Sequence, residues 1–277
     1  MAEIRKLRVI SVVAAISAAA VCSAAASDVS GRVRCDSTTL FCYMEGVALN
    51  GEIDDTTTAK LRRLLEEFDL RSLPSVDRGN TQIKLNSPGG SVVEAMAIGR
   101  LFRKYRMAAL VEPGAICASS CVLIYAGAVV RLGYNKRALI GIHQPYFPVP
   151  SGQIDPEAVR NAYTSMLAAI RAYLSEMNVS PQLADEMLKT PPSGVRYLSG
   201  KEQEKFGLSV IDPIERETSS LKQAQELGLD RREYNRREAL SVAKCPADSN
   251  FGNCYQTVMR SGDVPLLDLS QFGTPVE

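Results

Sequence analysis

The chain has 277 residues, with 32 Lys+Arg against 31 Asp+Glu and a single histidine. A formal charge of +1 excludes the excess of basic charge that an electrostatic nucleic-acid partner requires. The length is enough for one substantial core plus a tail.

Arg5, Lys6 and Arg8 precede an apolar run from Val9 to about Ala26, which closes on Ala24-Ala25-Ala26 before Ser27-Asp28. A basic start, an apolar middle and a small-residue end are the pattern of a cleaved secretory signal, expected here over residues 1–26. Roughly 17 apolar residues also just suffice to span a bilayer, so an uncleaved anchor is the alternative. Cleavage removes Cys22 and leaves Cys35, Cys42, Cys117, Cys121, Cys245 and Cys254. In an oxidising compartment an even count favours disulfides. Spacing suggests Cys35 with Cys42 and Cys245 with Cys254, leaving Cys117 and Cys121, while six cysteines allow about fifteen pairings. One histidine and no paired Cys-x-x-Cys argue against a metal centre, and no cofactor is expected.

Residues 27–42 read as a polar, cysteine-bearing lead-in. Cys42 to Ile53 reads as a strand with a turn at Gly51. Asp54-Asp55-Thr56 supplies N-cap chemistry for a helix to about Phe68, with Leu61, Leu64, Leu65 and Phe68 on one face. A polar loop from Arg71 to Asn80 leads to a buried strand, Thr81 to Leu85. Asn86-Ser87-Pro88-Gly89-Gly90 is then a strand-to-helix turn, and Ser91 and Glu94 stand at capping-box spacing for a helix from Val92 to about Tyr105. Met107 to Val111 is the next strand, ended by Pro113-Gly114. Ala115 to Cys121 forms a small-residue turn with two serines, and it runs into an apolar helix, Val122 to Ala128. After a Gly133-Tyr134-Asn135 turn, the strand Leu139 to Ile142 delivers His143.

Asp155-Pro156 opens a long helix to about Asn178, with an apolar face from Val159 through Tyr163, Met166 and Ile170. Shorter helices follow Ser180-Pro181 and Leu198-Ser199, the latter closed by Gly207. Ile214 to Lys244 is charged and helical, an appended arm before a cysteine-bracketed loop. Strand–helix alternation with short connections predicts an α/β fold with a mostly parallel sheet. In such sheets sites lie beyond the carboxyl ends of the strands. Gly89-Gly90, Ser119 and His143 all fall there.

A serine hydroxyl becomes an effective nucleophile when a base takes its proton, and histidine is the base suited to neutral pH. The oxyanion then needs two backbone N–H donors, one usually from the residue after the nucleophile. Each piece has a plain structural reading on its own: a strand-end histidine, an N-cap serine pair, a Pro-Gly turn. Their joint order favours a site. If Cys117 and Cys121 are oxidised to each other, they staple the turn carrying Ser119 and make the site redox-sensitive.

Asn86-Ser87-Pro88-Gly89-Gly90, Ala118-Ser119-Ser120-Cys121, Ala126-Gly127-Ala128 and Ile142-His143-Gln144-Pro145 resemble the proteolytic subunits of the Clp protease family. Tyr197-Leu198-Ser199, with Phe206-Gly207-Leu208 and Asp212, extends the resemblance, which runs from about Met44 to Asp212. Together with the signal-like start, Cys-Ala-Ser-x-Cys resembles the exported Clp-like proteins of Gram-negative bacteria, which implies a periplasmic location, or an inner-membrane anchor facing the periplasm. The resemblance implies a Clp protease/crotonase-like spiral of ββα units over residues 43–213, with 214–277 as arm and tail. It also implies a serine peptidase acting on peptides or unfolded protein, and a homo-oligomer built through the long helix after the histidine. By position Ser119 matches the nucleophile, His143 the base, and Gly90 and Ser120 the oxyanion donors. The family's third-member aspartate has no counterpart in Ser193-Gly194-Val195-Arg196. Asp185 and Glu186 lie upstream, on a predicted helix, and are not given that role. A Ser-His dyad, or a backbone carbonyl or Ser193 orienting His143, is left to fill it. The alternative is a weak or inactive oligomeric binding protein or scaffold of the same fold.

Overall fold

The computed structural model describes residues 27–35, 42–71, 81–133, 138–146, 155–208, 210–247 and 250–263. The predicted signal segment, the body of the loop before Thr81 and the Tyr134-Asn135 turn lie outside these residues. Among the described residues no helix is long and apolar enough to cross a membrane.

Six strands form the main sheet: β1 (Asp28–Cys35), β2 (Cys42–Asn50), β3 (Gln82–Asn86), β4 (Ala108–Val111), β6 (Val130–Gly133) and β9 (Val210–Ile211), in the order β1-β2-β3-β4-β6-β9. The four central strands run parallel and the two edges antiparallel. A second sheet holds β5 (Ile116–Ala118), β7 (Leu139–Ile142) and β8 (Arg196–Tyr197) in the order β5-β7-β8. The α/β, mostly parallel expectation therefore holds.

The expected lead-in is instead a strand. β1 pairs along the length of β2, with a register shift between Ser30 and Arg32. Its eight residues contain only Val29 and Val33 as clear apolar positions, and the shift interrupts their alternation, so the sequence carries little period-two signal. β6 likewise carries no sequence signal of its own. Val122 to Val130 is nearly continuous in apolar character, and such a run does not reveal where helix gives way to strand.

The helices begin where local chemistry directs. α1 (Thr57–Arg71) follows Asp54, whose carboxylate accepts from Thr56 N at 2.8 Å. In α2 (Val92–Lys104) Ser91 Oγ accepts from Glu94 N at 3.3 Å. α3 (Cys121–Gly127) is buried at every residue. It crosses α2 where Gly127 meets Gly99: a Cβ on Gly127 would stand 2.4 Å from the Gly99 backbone. α4 (Pro156–Glu176) is capped by Asp155, and only its C-terminal half, with Ile170, Tyr173 and Leu174, enters the core. α5 (Gln182–Met187) and α6 (Gly200–Phe206) follow, with Gly207 in the left-handed conformation as the C-cap of α6.

The arm is α7 (Pro213–Glu226), α8 (Arg231–Lys244) and α9 (Phe251–Ser261), packed on its own small cluster of Ala224, Tyr234 and Met259. Cys245 and Cys254 are bonded, but Cys254 lies inside α9. The predicted cysteine-bracketed loop is therefore partly helix. An asparagine N-cap position at Asn250 followed by Phe251 had not signalled it.

One buried charge node joins these layers. The Arg131 guanidinium, 1% exposed in its side chain, donates to the carbonyls of Ala126 at 2.7 Å, Met177 at 2.9 Å and Gly207 at 2.6 Å. These close the C-terminal ends of α3, α4 and α6, where a cation is favoured by the exposed carbonyls. Asp212, fully buried, pairs with Arg103 at 2.8 Å, accepts from Asn178 Nδ2 at 3.0 Å and caps α7 through Ile214 N at 3.0 Å. Burial alone raises the Asp212 pKa, but Arg103, Asn178 and the α7 N–H groups outweigh it and hold the carboxyl below the usual aspartate range.

Replacing Asp212 by Ala leaves Arg131 and Arg103 short of their anion and should cost about 3–5 kcal/mol in urea unfolding. A depressed carboxyl stabilises fully above its unfolded pKa, about 3.9, and loses that contribution as pH falls through the lower folded value. The parent should therefore lose stability below about pH 4, with a steeper fall than Asp212→Asn; equal slopes would exclude this node as the source.

Candidate active site

The serine turn is positioned by backbone pairing on both sides of β5. Ser87 N donates to Ile116 O at 2.8 Å and Ala118 N to Ser87 O at 3.0 Å, joining β5 to the end of the β3 segment. On its other side β5 runs parallel to β7, with Cys117 opposite Ile140. The pairing extends one residue further, where Ser119 N donates to Gly141 O at 2.9 Å. A strand of three residues leaves almost no signature in sequence, and β5 was read only as a turn.

Ser119 takes a left-handed conformation at φ 57°, unusual for a residue with a Cβ. Such a backbone costs of order 1–3 kcal/mol and persists where its surroundings over-determine it. Here β5 fixes the chain before it and α3 the chain after it. A disulfide from Cys117 to Cys121 spans the turn, with both cysteines fully buried. The structure also bonds Cys35 to Cys42, so all three suggested pairs are present.

The Pro-Gly-Gly turn lies against the serine closely enough to require glycine. A Cβ on Gly89, at φ +108°, would stand 2.5 Å from Ser119 Cβ and 2.8 Å from Ala118 O. At Gly90, φ +141°, it would stand 2.1 Å from Ile53 O. Gly89 spends its N–H on Ser87 Oγ at 3.1 Å. The N–H groups of Gly90 and Ser120 have no hydrogen-bond partner among the described residues. The Ser120 hydroxyl is likewise buried without a partner.

His143 follows β7 and is 8% exposed. Its Nδ1 lies 2.9 Å from Gln144 O. A carbonyl can only accept, so Nδ1 donates, and in the neutral ring the lone pair then lies on Nε2. Gln144 is held in turn, with its N donating to Thr190 O at 2.7 Å and its Nε2 to Tyr163 OH at 2.9 Å. The role of Gln144 is carried by main chain, so side-chain chemistry in the sequence points to no particular carbonyl.

Ser119, Ser120, Gly89, Gly90 and His143 line one cavity of about 670 Å³. No hydrogen bond joins Ser119 Oγ to His143 in this ligand-free arrangement; catalytic hydrogen bonds are often long before substrate enters. Met96, Leu123, Met166 and Ile170 give the cavity an apolar wall. Asp185 is paired with Arg171 at 2.7 Å, and Glu186 with Lys189 and Arg196, each at 2.7 Å. Ser193 is exposed and absent from the lining of the cavity. Among the described residues the arrangement therefore offers a hydroxyl, an imidazole and two open N–H donors, without a carboxylate on the histidine.

A family model described as Clp protease matches residues 30–216. Among solved structures, a ClpP1 mutant from Listeria monocytogenes is similar with a TM-score of 0.43 and 19% identity, covering 60% of this chain and 91% of that one. No curated protein sequence matches. The family match takes in most of β1, the glycine turn, Ser119, His143 and Asp212, well over half of the sequence. The chain belongs to the Clp protease family.

Proposed function

We propose that this chain is an exported serine peptidase, acting through an acyl-enzyme on Ser119. The observation that carries the reading is a single cavity lined by Ser119 on its left-handed turn, by His143, and by Gly90 and Ser120, whose N–H groups have no partner among the described residues. Ser119 Oγ attacks the peptide carbonyl carbon while His143 Nε2 takes its proton. The carbonyl oxygen becomes the oxyanion and accepts from Gly90 and Ser120 N–H. The imidazolium then protonates the leaving amine. Water repeats the sequence on the ester and restores Ser119.

The carbonyl of Gln144 performs the orienting half of an acid's work, since it selects the tautomer. It does not supply a full negative charge opposite the imidazolium. Loss of the acid in a Ser-His-Asp enzyme can cost about 10⁴-fold in kcat, so turnover should be slow. That same substitution favours a second reading, a binding protein or scaffold of the same fold. Export is supported by the signal-like residues 1–26 and by three disulfides, which persist in oxidising compartments such as the periplasm. Assembly through α4 is supported by Val159, which remains part-exposed on its outer half, and α7–α9 form the appended arm.

A fluorophosphonate probe should form an adduct at Ser119, absent in Ser119→Ala and slowed about 10²–10⁴-fold in His143→Ala. Gly90→Ala should slow it comparably, because the new methyl must displace Ile53 O and with it the donor. A clean absence of adduct in oxidised and reduced protein supports the scaffold reading.

The Cys117–Cys121 bond should hold the strained turn in register. Its reduction, or the Cys117→Ala/Cys121→Ala double variant, should slow labelling about 10–100-fold, the effect of a misplacement near 1 Å. Circular dichroism should remain native. Unchanged labelling after thiol counting has shown both sulfurs free would dismiss the bond as a positioning device.

A further inference from the structure

Ile53 forms the backbone clamp around the proposed oxyanion donor. Its N–H donates to Gly89 O at 2.7 Å and its C=O accepts from Ser91 N at 2.8 Å, so the two contacts bracket Gly90. The Ile53 side chain is buried in the main core. Successive side chains of an extended segment point to opposite faces, and Glu52, one residue earlier, belongs to the lining of the cavity that contains Ser119 and His143. The clamp therefore fixes the place of Glu52 relative to the reacting atoms.

Glu52 is exposed and makes no ion pair or hydrogen bond among the described residues. Apart from His143, it is the sole ionisable side chain with a formal charge in the described lining. The same lining is largely aliphatic and thioether: Met96, Leu123, Met166, Ile170 and Met187. Thioethers are adaptable partners for a flexible hydrocarbon chain. An apolar sleeve with one unpaired carboxylate matches a long aliphatic stem that ends in a cation, the form of lysine and arginine. A neutral side chain would fill the sleeve and leave the carboxylate to water; an acidic one would meet like charge.

We propose that Glu52 is a specificity-determining residue, and that the cavity selects peptides presenting a lysine or arginine side chain beside the bond held at Ser119. The cationic recognition needs only the cavity; the cleavage of that peptide rests on the peptidase reading above. The substrates are then basic segments of peptides or unfolded chains.

Fluorescence anisotropy on the full chain carrying Ser119→Ala tests recognition without turnover, using two labelled peptides that differ only in lysine against norleucine. The lysine peptide should bind about fivefold more tightly, the size of one partly exposed charge pair. Glu52→Gln added to Ser119→Ala should bring the ratio to near one, and Glu52→Lys should invert it, with circular dichroism confirming that each variant is folded. A ratio near one with Glu52 present, a ratio that survives Glu52→Gln, or no binding of either peptide overturns the proposal. Fluorophosphonate labelling of the parent chain is read separately. A lysine preference without an adduct at Ser119 removes the peptidase reading and retains the recognition; an adduct without a preference does the reverse.

Discussion

The geometry of the site depends on a strand of three residues held from both sides. β5 takes backbone hydrogen bonds from Ser87 and from β7, and this double pairing sets where Ser119 emerges. Ser87 also caps Gly89 N, so the residue that pairs with β5 shapes the glycine turn as well. On the other side Gly141 accepts from Ser119 N two residues before His143, and Ala118 lies opposite it in register. Ser119, His143 and the glycine turn are thus neighbours through main chain, before any side chain makes contact. Gly141 shows how little slack remains: a Cβ there would stand 2.5 Å from Val195 Cγ1.

The distribution of charge sets the buried anion apart from the proposed site. Asp212 is fully buried and surrounded by Arg103, Arg131 and Asn178, yet it serves helix ends and not the histidine. Burial pulls the Arg131 pKa down to about 10, with the neighbouring cation Arg103 acting in the same direction and Asp212 opposing. His143 instead rests on a neutral carbonyl dipole. A dipole can choose a tautomer and an orientation; a carboxylate also stabilises the cation formed during proton transfer. The family fold therefore holds His143 through a neutral dipole, and Glu52 lies in the lining of the same cavity.

Local chemistry was legible wherever a residue type answers to one conformation. Ser91 with Glu94, Asp155 with Pro156, and Gly207 marked helix ends that the structure retains. The Pro-Gly-Gly turn was legible too, because a close approach to Ser119 and Ile53 excludes any Cβ. The grouping of Gly89-Gly90, Ser119 and His143 followed from strand-end placement, with Gly90 and Ser120 singled out through the family resemblance, and all of them line one cavity. β1, β5 and β6 were not legible. Their residues are too few, interrupted by a register shift, or continuous with an apolar helix, and their extended form comes from partners distant in sequence.

The sequence by itself determined the alternation of strands and helices, the turns that demand glycine, and which residue types could supply a nucleophile and a base. Those properties depend on periodicity and on local sterics. Only the tertiary structure decided that Gln144 O orients His143, that Asp212 is committed to three cationic or amide donors, and that Glu52 shares a cavity with Ser119. Each of these is a meeting of groups separated along the chain or made by backbone atoms common to every residue. Such meetings have no local period or residue-type mark, so only the packed chain can select them.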